Sequence, residues 1–489
     1  MHHSDQNNVD LRAMAEQVMR EHGFEPQFPP SAEQQIREIQ ARSPLPVSSA
    51  SAPARDLRHL LWSSIDNDTS RDLDQIEVAE QLDNGDVKVF IGIADVDAFV
   101  PKASPLDVHA AQETTTVYTG VRNFPMLPEE LSTGASSLLE EQDRAAMVIE
   151  LVVEKGGTVE GGTIYPGIVR NQGQLTYNGV GPWLEGAAPP EKVAASKELQ
   201  DQLRLQNQAA QALRRQRFLN GALNIDSHEL RPILLNQQVI DLAKQEKNPA
   251  TELIEDFMIA ANGVVARMLQ NVSSLRRIVK TPERWDRIVQ LAASHGDSLP
   301  AQPDSKALND FLVRRKQADP DHFADLSLAV IKLIGPGQYV LERPGDPEQG
   351  HFGLAVQDYT HSTAPNRRFA DVVTQRLVKA HIAGGPGPYT DDELSSIAKN
   401  CTLKEDAARK VEREMSKRLA AVVMSKRIGE TFDAIVTGVT PHGTFVRVLK
   451  PHVEGLLAQG YQALDVGDKL RVKLLRTDVQ RGYIDFTRA

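Results

Sequence analysis

Apolar and polar residues alternate along the chain with two different periods, and the changes of period divide it into three regions. In residues 10–41, Leu11, Met14 and Val18 fall at helical spacing, which predicts two short helices, over 10–21 and 31–41, on either side of a Phe-Pro-Pro break. The stretch 43–54, SPLPVSSASAPA, has the composition of a linker. We therefore expect residues 1–54 to form a short helical segment and a linker.

The second region, residues 55–428, begins with strand patterns and continues with helical ones. Over 56–180 the chain is mostly β-rich, and the sequence DNGD at 83–86, between two such runs, predicts a hairpin. Amphipathic helical patterns follow, at 196–219, 251–270, 365–382 and 403–427. The last region, 429–489, has five short strand patterns with glycine turns, which are typical of an OB-fold barrel. The prediction is an α+β chain, with a mixed α/β domain followed by a small all-β barrel.

Composition excludes several classes of protein. Of the 489 residues 40% are apolar and 25% charged, and no run of about 18 apolar residues exists that could cross a membrane. The start of the chain carries no secretory signal, and the single cysteine, Cys401, excludes a disulfide framework and a Cys-rich zinc site. We expect a cytoplasmic monomer with no membrane partner and no disulfide partner.

The net charge of −11 conceals an asymmetry along the chain. Residues 404–489 contain 16 Lys and Arg against 11 Asp and Glu, a net charge of +5, which leaves −16 for the preceding residues. An acidic body with a basic tail fits an enzyme that binds metal ions in one part and a polyanion in another.

Acidic residues are concentrated in the segment SIDNDTSRDLDQIE, residues 64–77. If Asp72 and Asp74 lie on a strand, their carboxylates point to one face, and Asp66 and Asp68 on a preceding loop can fold over them. Carboxylates gathered in this way require a compensating cation, and oxygen ligands select Mg²⁺, Mn²⁺ or Ca²⁺ over zinc.

Two other interpretations of the acidic segment are open. It can be an exposed acidic loop with no ligand. It can also be a calcium-binding loop of the EF-hand type, since acidic or hydroxyl residues recur at the ligand positions from Asp66 to Glu77. Against the second, Arg71 stands where the loop needs glycine, and a strand pattern follows instead of a helix.

Two adjacent arginines, Arg367 and Arg368, are predicted to lie in the first turn of the helix that follows Pro365. The N-terminus of a helix carries partial positive charge and free N–H groups, so arginines placed there favour phosphate binding. In the alternative interpretation, one of the two arginines instead pairs with Asp371. Together with the acidic segment, these residues indicate phosphodiester chemistry on nucleic acid.

Five motifs in order along the chain resemble the ribonuclease II / ribonuclease R family of exoribonucleases. They are the acidic segment, NFPMLPEELS (123–132), RNQGQLTYNGV (170–180), LIEDFMIAAN (253–262) and HFGL-x4-YT-x3-AP-x-RRFAD (351–371). The resemblance covers roughly residues 55–489. It implies an RNB-type catalytic domain over 55–428 and an S1-type OB-fold RNA-binding domain over 429–489.

The resemblance also implies an activity and a set of residues. The activity is Mg²⁺-dependent, two-metal hydrolysis of RNA from a single-stranded 3′ end to nucleoside 5′-monophosphates, with Mn²⁺ as an alternative ion. Asp66, Asp72 and Asp74 would hold the metal, and Arg367 would contact the scissile phosphate. The residues expected to bind the substrate elsewhere are Tyr118 on the terminal base, Glu255 on the ribose, Tyr177 near the 2′-hydroxyl, and Arg368.

This chain departs from the family pattern at two positions near the expected site. Gln75 occupies the place of the family's fourth aspartate, and Asp68 is a hypothetical compensating ligand. Ile225 occupies the place of a phenylalanine that stacks opposite the tyrosine. The loss of a carboxylate leaves an alternative function open, that of a catalytically silent RNA-binding protein which retains the fold.

The predicted barrel contributes further candidates for RNA binding. Phe432, His442 and Phe445 could stack on bases, with some of these aromatic residues expected in the core instead. Candidate phosphate contacts are Arg447, Lys450, Lys469, Arg471 and Lys473.

Overall fold

The structure, a computed structural model, describes residues 10–41, 53–225, 230–235, 238–244, 247–320, 322–347, 349–441 and 443–489. In chain order the helices are α1 (Leu11–Glu21), α2 (Pro30–Gln40), α3 (Pro105–Glu113), α4 (Tyr177–Leu184), α5 (Glu191–Ala195), α6 (Lys197–Leu219), α7 (Pro249–Met268), α8 (Trp285–Ser294), α9 (Ser305–Ala318), α10 (Phe323–Ile334), α11 (Phe369–Ile382) and α12 (Asp391–Ser425). A π-helical turn at Leu131–Ala135 and a 3-10 turn at Phe352–Leu354 accompany them.

The strands follow the same order of regions that the sequence predicts. They are β1 (Arg55–Asp56), β2 (Trp62–Asp66), β3 (Gln75–Gln81), β4 (Val87–Ala94), β5 (Val117–Tyr118), β6 (Asn123–Phe124), β7 (Asp143–Val153), β8 (Val159–Thr176), β9 (Leu230–Leu235), β10 (Gln238–Lys244), β11 (Ser274–Ile278), β12 (Gln338–Glu342), β13 (Thr431–Thr440), β14 (Gly443–Val448), β15 (Glu454–Gln459), β16 (Lys469–Asp478) and β17 (Tyr483–Arg488). The α+β class and the predicted hairpin, now β3 and β4, are confirmed.

The main sheet closes on itself through its longest strand. β8 pairs with β7 over 159–170 and with β2 over 171–176, while β2, β3, β4 and β7 are joined in order. Its weakest join is between β2 and β3, which share one residue pair, Ser63 with Glu77. Side chains of α6 form hydrogen bonds with backbone groups of β3 that this short pairing leaves free. Gln202 bonds both the N–H and the carbonyl of Ala79, and Gln206 Nε2 donates to the Glu77 carbonyl at 3.4 Å.

Helix α11 is fixed against the end of β4 by buried polar contacts. Gln375 donates to the carbonyl of Ala94 at 2.9 Å, and Lys379 forms an ion pair with Asp95 at 2.5 Å. The backbone N–H of Ala94 in turn donates to the carbonyl of Asp74 at 2.9 Å. One strand end therefore holds both the acidic segment and the helix that follows the two arginines, although these are far apart in sequence.

The N-terminal helices pack onto the main body of the chain, residues 55–428. Met14 and Val18 of α1 share a hydrophobic cluster with Val117 and Phe124 of the β5–β6 hairpin and with Val411 of α12. Helix α2 buries Ala32 and Ile36 in the main core. The predicted linker, 43–54, lies outside the described residues except for its last two positions.

The C-terminal strands form a closed barrel in the order β13-β14-β15-β17-β16, as the sequence predicts. Its core is continuous with α12, because Met415 and Leu419 of that helix cluster with Val472 and Phe486 of the barrel. Among the described residues, no helix combines the length and the apolar character needed to span a bilayer.

Candidate active site

Asp74 and Arg367, 293 positions apart in the sequence, meet in the folded chain. Asp74 is 4% exposed, its Oδ1 accepts the backbone N–H of Asn366 at 2.9 Å, and its Oδ2 lies 3.5 Å from Arg367 Nε. Burial raises the pKa of Asp74 to about 7. The positive charge of Arg367 and the hydrogen bond from Asn366 lower this pKa, and the negative charge of Asp72 raises it, but burial has the largest effect. A half-exposed guanidinium therefore stands beside a buried carboxyl whose negative charge is costly without a cation.

Asp66 and Asp72 belong to the same electrostatic cluster as Asp74. Burial raises the pKa of Asp72 first, and the negative charge of Asp66 raises it further. Asp66 ends β2, and its Oδ1 accepts bonds from Asn67 and Ser70. Among the described residues no three His, Cys, Asp or Glu side chains converge closely enough to surround one ion.

Asp72 and Asp74 do not lie on a strand. Both precede β3, in a loop that other segments hold extended: Leu73 N–H donates to Ser137 Oγ, and the Leu73 carbonyl accepts the Leu138 N–H, each at 3.0 Å. Leu73 is buried between the two aspartates, so they still share one side of the chain. Because strands flank this loop, the EF-hand interpretation is also wrong.

Arg367 and Arg368 have different surroundings, and neither lies inside the helix as predicted, since α11 begins at Phe369. Arg368 is largely buried and holds Asp371 through two bonds of 2.8 and 2.7 Å. Asp371 also accepts the Ala364 N–H at 2.8 Å, which turns the chain ahead of the helix. Arg368 is therefore the structural arginine of the alternative interpretation, and its contact with substrate stays a prediction.

Tyr118 lies on the β5–β6 hairpin, which the backbone of Thr116 joins to Arg367. Its side chain is 41% exposed, but surrounding protein raises the pKa of its hydroxyl, which also responds to the charges of Arg367, Asp72, Asp74 and Asp66. The hairpin is held from two sides: Tyr118 N–H donates to Glu412 at 3.1 Å, and Thr116 N–H donates to the carbonyl of Arg367 at 3.0 Å.

Tyr177 and the start of α7 border the site beside Asp66. Asp66 pairs with Thr176 across β2 and β8, and the next residue, Tyr177, accepts the Asn248 side chain on its carbonyl at 3.0 Å. Asn248 caps α7, which carries Glu255. Glu255 forms an ion pair with Lys247 at 2.7 Å; burial raises its pKa, but Lys247 and two arginines outweigh burial and lower it overall.

The polar side chains of helix α7 have separate partners. Glu252 pairs with Arg214, whereas Asn262 is buried and holds the segment that leads to Arg367. Asn262 Oδ1 accepts both Ser362 N–H and Ser362 Oγ at 2.9 Å. Ser362 thus has a positioning role that sequence analysis missed.

The sequence marks Glu77 only as the last ligand position of the EF-hand interpretation. Its side chain is fully buried, and neither carboxyl oxygen has a hydrogen-bond partner among the described residues. Burial, and then the charge of Asp66, raises its pKa well above the usual value. The available signal was a single acidic residue inside the otherwise apolar run that follows Gln75.

The hypothetical compensating ligand Asp68 is exposed, and its side chain bonds Asn178 on α4. Ile225 is partly buried against the cluster formed by α8, α9 and α10, which includes Trp285 and Phe311.

The barrel candidates divide between core and surface. The prediction that Phe432 stacks on bases is wrong, because this ring is 6% exposed and meets Phe486 edge-on in the barrel core. Arg447 is bound through two bonds to Asp325 of α10, at 2.6 and 2.8 Å, and so links the barrel to the main body. Phe445 is partly exposed, and His442 lies outside the described residues. Lys450, Lys469, Arg471 and Lys473 are exposed.

Comparison with protein families agrees with this arrangement. The model described as "RNB domain" matches residues 54–384, and the model described as "RNase II-type exonuclease C-terminal S1 domain" matches residues 430–489. The chain belongs to the RNB family. The resemblance inferred from the sequence motifs is therefore confirmed.

Individual relatives of this RNB chain are similar over most of its length. Ribonuclease R of Thermotoga maritima is 30% identical over 466 residues, which cover 88% of this chain and 64% of the relative. The chain thus spans less than two thirds of the length of that relative.

Solved structures show the same fold. RNase R of Mycoplasma genitalium in complex with ribose methylated single-stranded RNA superposes with a TM-score of 0.87 at 22% identity, covering 99% of this chain and 79% of the other. The same protein in complex with double-stranded RNA gives 0.86 at 24% identity, covering 99% and 84%.

Proposed function

We propose that this chain is a 3′-to-5′ exoribonuclease that hydrolyses single-stranded RNA to nucleoside 5′-monophosphates with the help of divalent metal ions. The observation that carries the proposal is the junction of Asp74 and Arg367, a buried carboxyl 3.5 Å from a half-exposed guanidinium, beside the hairpin that carries Tyr118. A metal ion would compensate the negative charge of the carboxylates, and a phosphate of the substrate would compensate the positive charge of the guanidinium. The family and the relatives named ribonuclease R support the same function.

The donor set fits Mg²⁺, or Mn²⁺ in its place. Asp66, Asp72 and Asp74 offer only oxygen ligands, and burial makes the negative charge of Asp72 and Asp74 costly without a cation. Because the described residues include no group of three His, Cys, Asp or Glu side chains around one point, water and substrate phosphate would supply the remaining ligands, as is usual for Mg²⁺. Bound there, the ions would activate water and stabilise the leaving oxygen of an in-line displacement.

The chain's own residues would bind and orient the RNA around that centre. Arg367 would neutralise charge that develops on the scissile phosphate, and Tyr118 would stack on the terminal base. Glu255, ionised beside Lys247, would accept a hydrogen bond from ribose, and Tyr177 would approach the 2′-hydroxyl side.

The test is digestion of 5′-labelled single-stranded RNA by the full chain in Mg²⁺, with EDTA added to half of the samples. We expect a ladder of progressively shortened products in Mg²⁺ and none in EDTA, while DNA of the same sequence is degraded much more slowly. Absence of the ladder, or indifference to EDTA, would remove the proposal.

A matched pair of variants assigns the metal site. Asp74→Asn should lower turnover by about 100-fold or more and leave RNA binding largely intact. Asp68→Asn, in the same loop but exposed and facing Asn178, should remain active.

The catalytically silent alternative depends on Gln75. If the native chain binds RNA without degrading it and Gln75→Asp restores the ladder, the alternative is correct and the proposed activity is not.

A further inference from the structure

The turn that precedes α11, residues 364–368, touches the acidic loop between β2 and β3, residues 67–74, at a single side chain. Asn366 N–H donates to Asp74 Oδ1 at 2.9 Å, and Arg367 Nε lies 3.5 Å from Asp74 Oδ2. Both contacts end on one carboxyl group, which in the proposed function also binds a metal ion. A support that does not pass through this carboxyl would keep Arg367 in place when the ion binds.

Such a support runs through two buried side chains. Ser136, directly after the π-helical turn, donates its hydroxyl to Asn366 Oδ1 at 2.5 Å, and the same oxygen lies 2.9 Å from the carbonyl of Leu131. Ser136 is 2% exposed and Asn366 is 1% exposed, so the bond is shielded from water, which strengthens it. It ties the residue that directly precedes Arg367 to the segment after the π-helical turn.

The residues that follow Ser136 hold the acidic loop. Ser137 Oγ accepts the Leu73 N–H at 3.0 Å, and Leu138 N–H donates to the Leu73 carbonyl at 3.0 Å. Leu73 directly precedes Asp74. Two adjacent serines therefore bond the turn that carries Arg367 and the loop that carries Asp74.

The segment that bonds both partners is fixed to the main sheet by a buried arginine. Arg144 of β7 is 6% exposed, and its Nε donates to the Ser137 carbonyl at 2.9 Å. A second nitrogen of the same guanidinium, Nη2, donates to the carbonyl of Gly134 at 3.1 Å. The segment thus provides a fixed reference for the distance between the acidic loop and the turn.

Stability of the fold does not explain an amide at position 366. The side-chain nitrogen of Asn366 is buried and has no hydrogen-bond partner among the described residues. A buried N–H group without a partner costs free energy, and a leucine of similar size would avoid that cost. Ser136 has the Leu131 carbonyl within reach whichever residue stands at 366. The bond between Ser136 and Asn366 therefore serves something other than stability.

On the basis of the proposed function, we infer that Ser136 and Asn366 form a positioning pair that holds Arg367 at its distance from Asp74. Both side chains are buried, so neither touches the substrate. The pair sets the spacing between the guanidinium that would bind the phosphate and the carboxylates that would bind the metal. Because a displacement of about 1 Å can cost about 100-fold in rate, loss of the pair should slow the chemical step without weakening RNA binding.

The experiment measures single-turnover digestion of 5′-labelled single-stranded RNA in Mg²⁺, with the full chain in excess, for Ser136→Ala, Asn366→Leu and the double variant. Each single change should lower the rate by roughly 10- to 100-fold. The double variant should be within about twofold of the slower single variant, because the two side chains act through one bond. The dissociation constant for RNA, measured by fluorescence anisotropy in EDTA, should stay within about twofold of wild type.

Ser132→Ala is the matched control, a buried serine of the π-helical turn whose hydroxyl donates within the same stretch of chain, 3.2 Å from the Pro128 carbonyl. It should digest RNA at the wild-type rate. The melting temperature of Asn366→Leu should equal or exceed that of wild type, which separates a slowed reaction from a damaged fold. A lower melting temperature with an unchanged rate would show that the pair serves the fold instead.

Three further results would overturn the inference and leave the proposed function standing. They are wild-type rates in both single variants, rate losses that multiply in the double variant, and a rate loss matched by an equal loss of RNA affinity. Absence of RNA digestion by the wild type would overturn the proposed function and the positioning role together.

Discussion

Neighbouring residues of the same type have different roles in this site, and their partners decide which. Arg368 and Arg367 are adjacent, yet the guanidinium of Arg368 is committed to the fully buried Asp371, while that of Arg367 remains half exposed beside Asp74. The same contrast separates Asp74, which the Asn366 N–H orients, from Asp68, which faces solvent. Residue type indicates the chemistry, and local bonding selects the residue that can perform it.

The two arginines make a direct test of this difference. Arg368→Ala leaves the buried Asp371 without its ion-pair partner and should lower the free energy of unfolding by about 3–5 kcal/mol. Arg367→Ala removes an exposed group and should leave stability nearly unchanged while lowering the turnover number by about 100- to 1000-fold. Denaturant unfolding and single-turnover digestion measure the two effects. If Arg367→Ala unfolds the chain, or Arg368→Ala is fully stable, the assignment is wrong.

At the scale of elements, the N-terminal helices complete the support of the Tyr118 hairpin. Helix α1 packs its apolar face on β5, β6 and α12, and Glu16 pairs with Arg122, whose guanidinium lies over Phe124 at 5.0 Å. The carbonyl of Gly23, just after α1, accepts Lys404 Nζ at 2.6 Å. The hairpin is therefore held between this helix and the Arg367 turn, which limits how far Tyr118 can move.

Loosening this support should affect substrate binding more than chemistry. In Glu16→Ala the Arg122 pair is lost, and since such partly exposed pairs contribute up to about 1 kcal/mol, we expect KM for RNA to rise by roughly two- to fivefold. The turnover number should stay within about twofold of wild type, because the acidic loop is untouched. Glu21→Ala, on the same helix but exposed and without contact to the hairpin, is the control. A fall in turnover with unchanged KM would contradict the positioning role.

The packing of the N-terminal helices should also be sensitive to acid. His109 of α3 contacts Phe28, with ring centroids 4.5 Å apart, and burial, followed by Lys404, lowers its pKa to about 4. An unfolded chain takes up this proton at the ordinary value of 6.5, so between the two values the unfolded state binds more protons. The free energy of unfolding therefore falls as the pH is lowered from about 6.5 to 4, by roughly 3 kcal/mol for this residue.

The melting temperature of wild type and His109→Gln, followed from pH 7 to pH 4, measures that contribution. The variant should lose less stability on acidification, whereas His59→Gln, at an exposed position, should follow the wild type. Parallel curves for wild type and His109→Gln would show that His109 does not couple folding to pH.

At the scale of the whole molecule, the barrel is joined to the main body by a shared core and carries its basic residues outward. Helix α12 contributes to the barrel's own cluster, and Arg447 with Asp325 adds a second attachment. Lys469, Arg471 and Lys473 alternate along β16 with inward-facing residues and remain exposed. We expect these three exposed residues to contact RNA phosphates on the outer face of the barrel.

The contribution of this face should appear in the salt dependence of RNA binding. Replacing Lys469, Arg471 and Lys473 together with serine should weaken binding and reduce the slope of log K against log salt by about 2, since each single-strand phosphate contact contributes about 0.7. Fluorescence anisotropy over a salt series measures this slope. The same three-residue change at Arg409, Lys410 and Arg413 of α12 is the comparison, and an equal effect at both places would mean that only net charge matters.

The sequence alone determined the class of fold, the C-terminal barrel, the β3–β4 hairpin and the family, because hydrophobic period, turn residues and motif spacing are local properties. It also identified the acidic segment and the two arginines as candidates for the site. Only the tertiary structure separated Arg367 from Arg368, placed Phe432 in the core, bound Arg447 to Asp325 and exposed Asp68. It also revealed the unpartnered carboxyl of Glu77. These outcomes depend on which distant segments approach each side chain, and burial and pairing of charge arise only when the chain has packed.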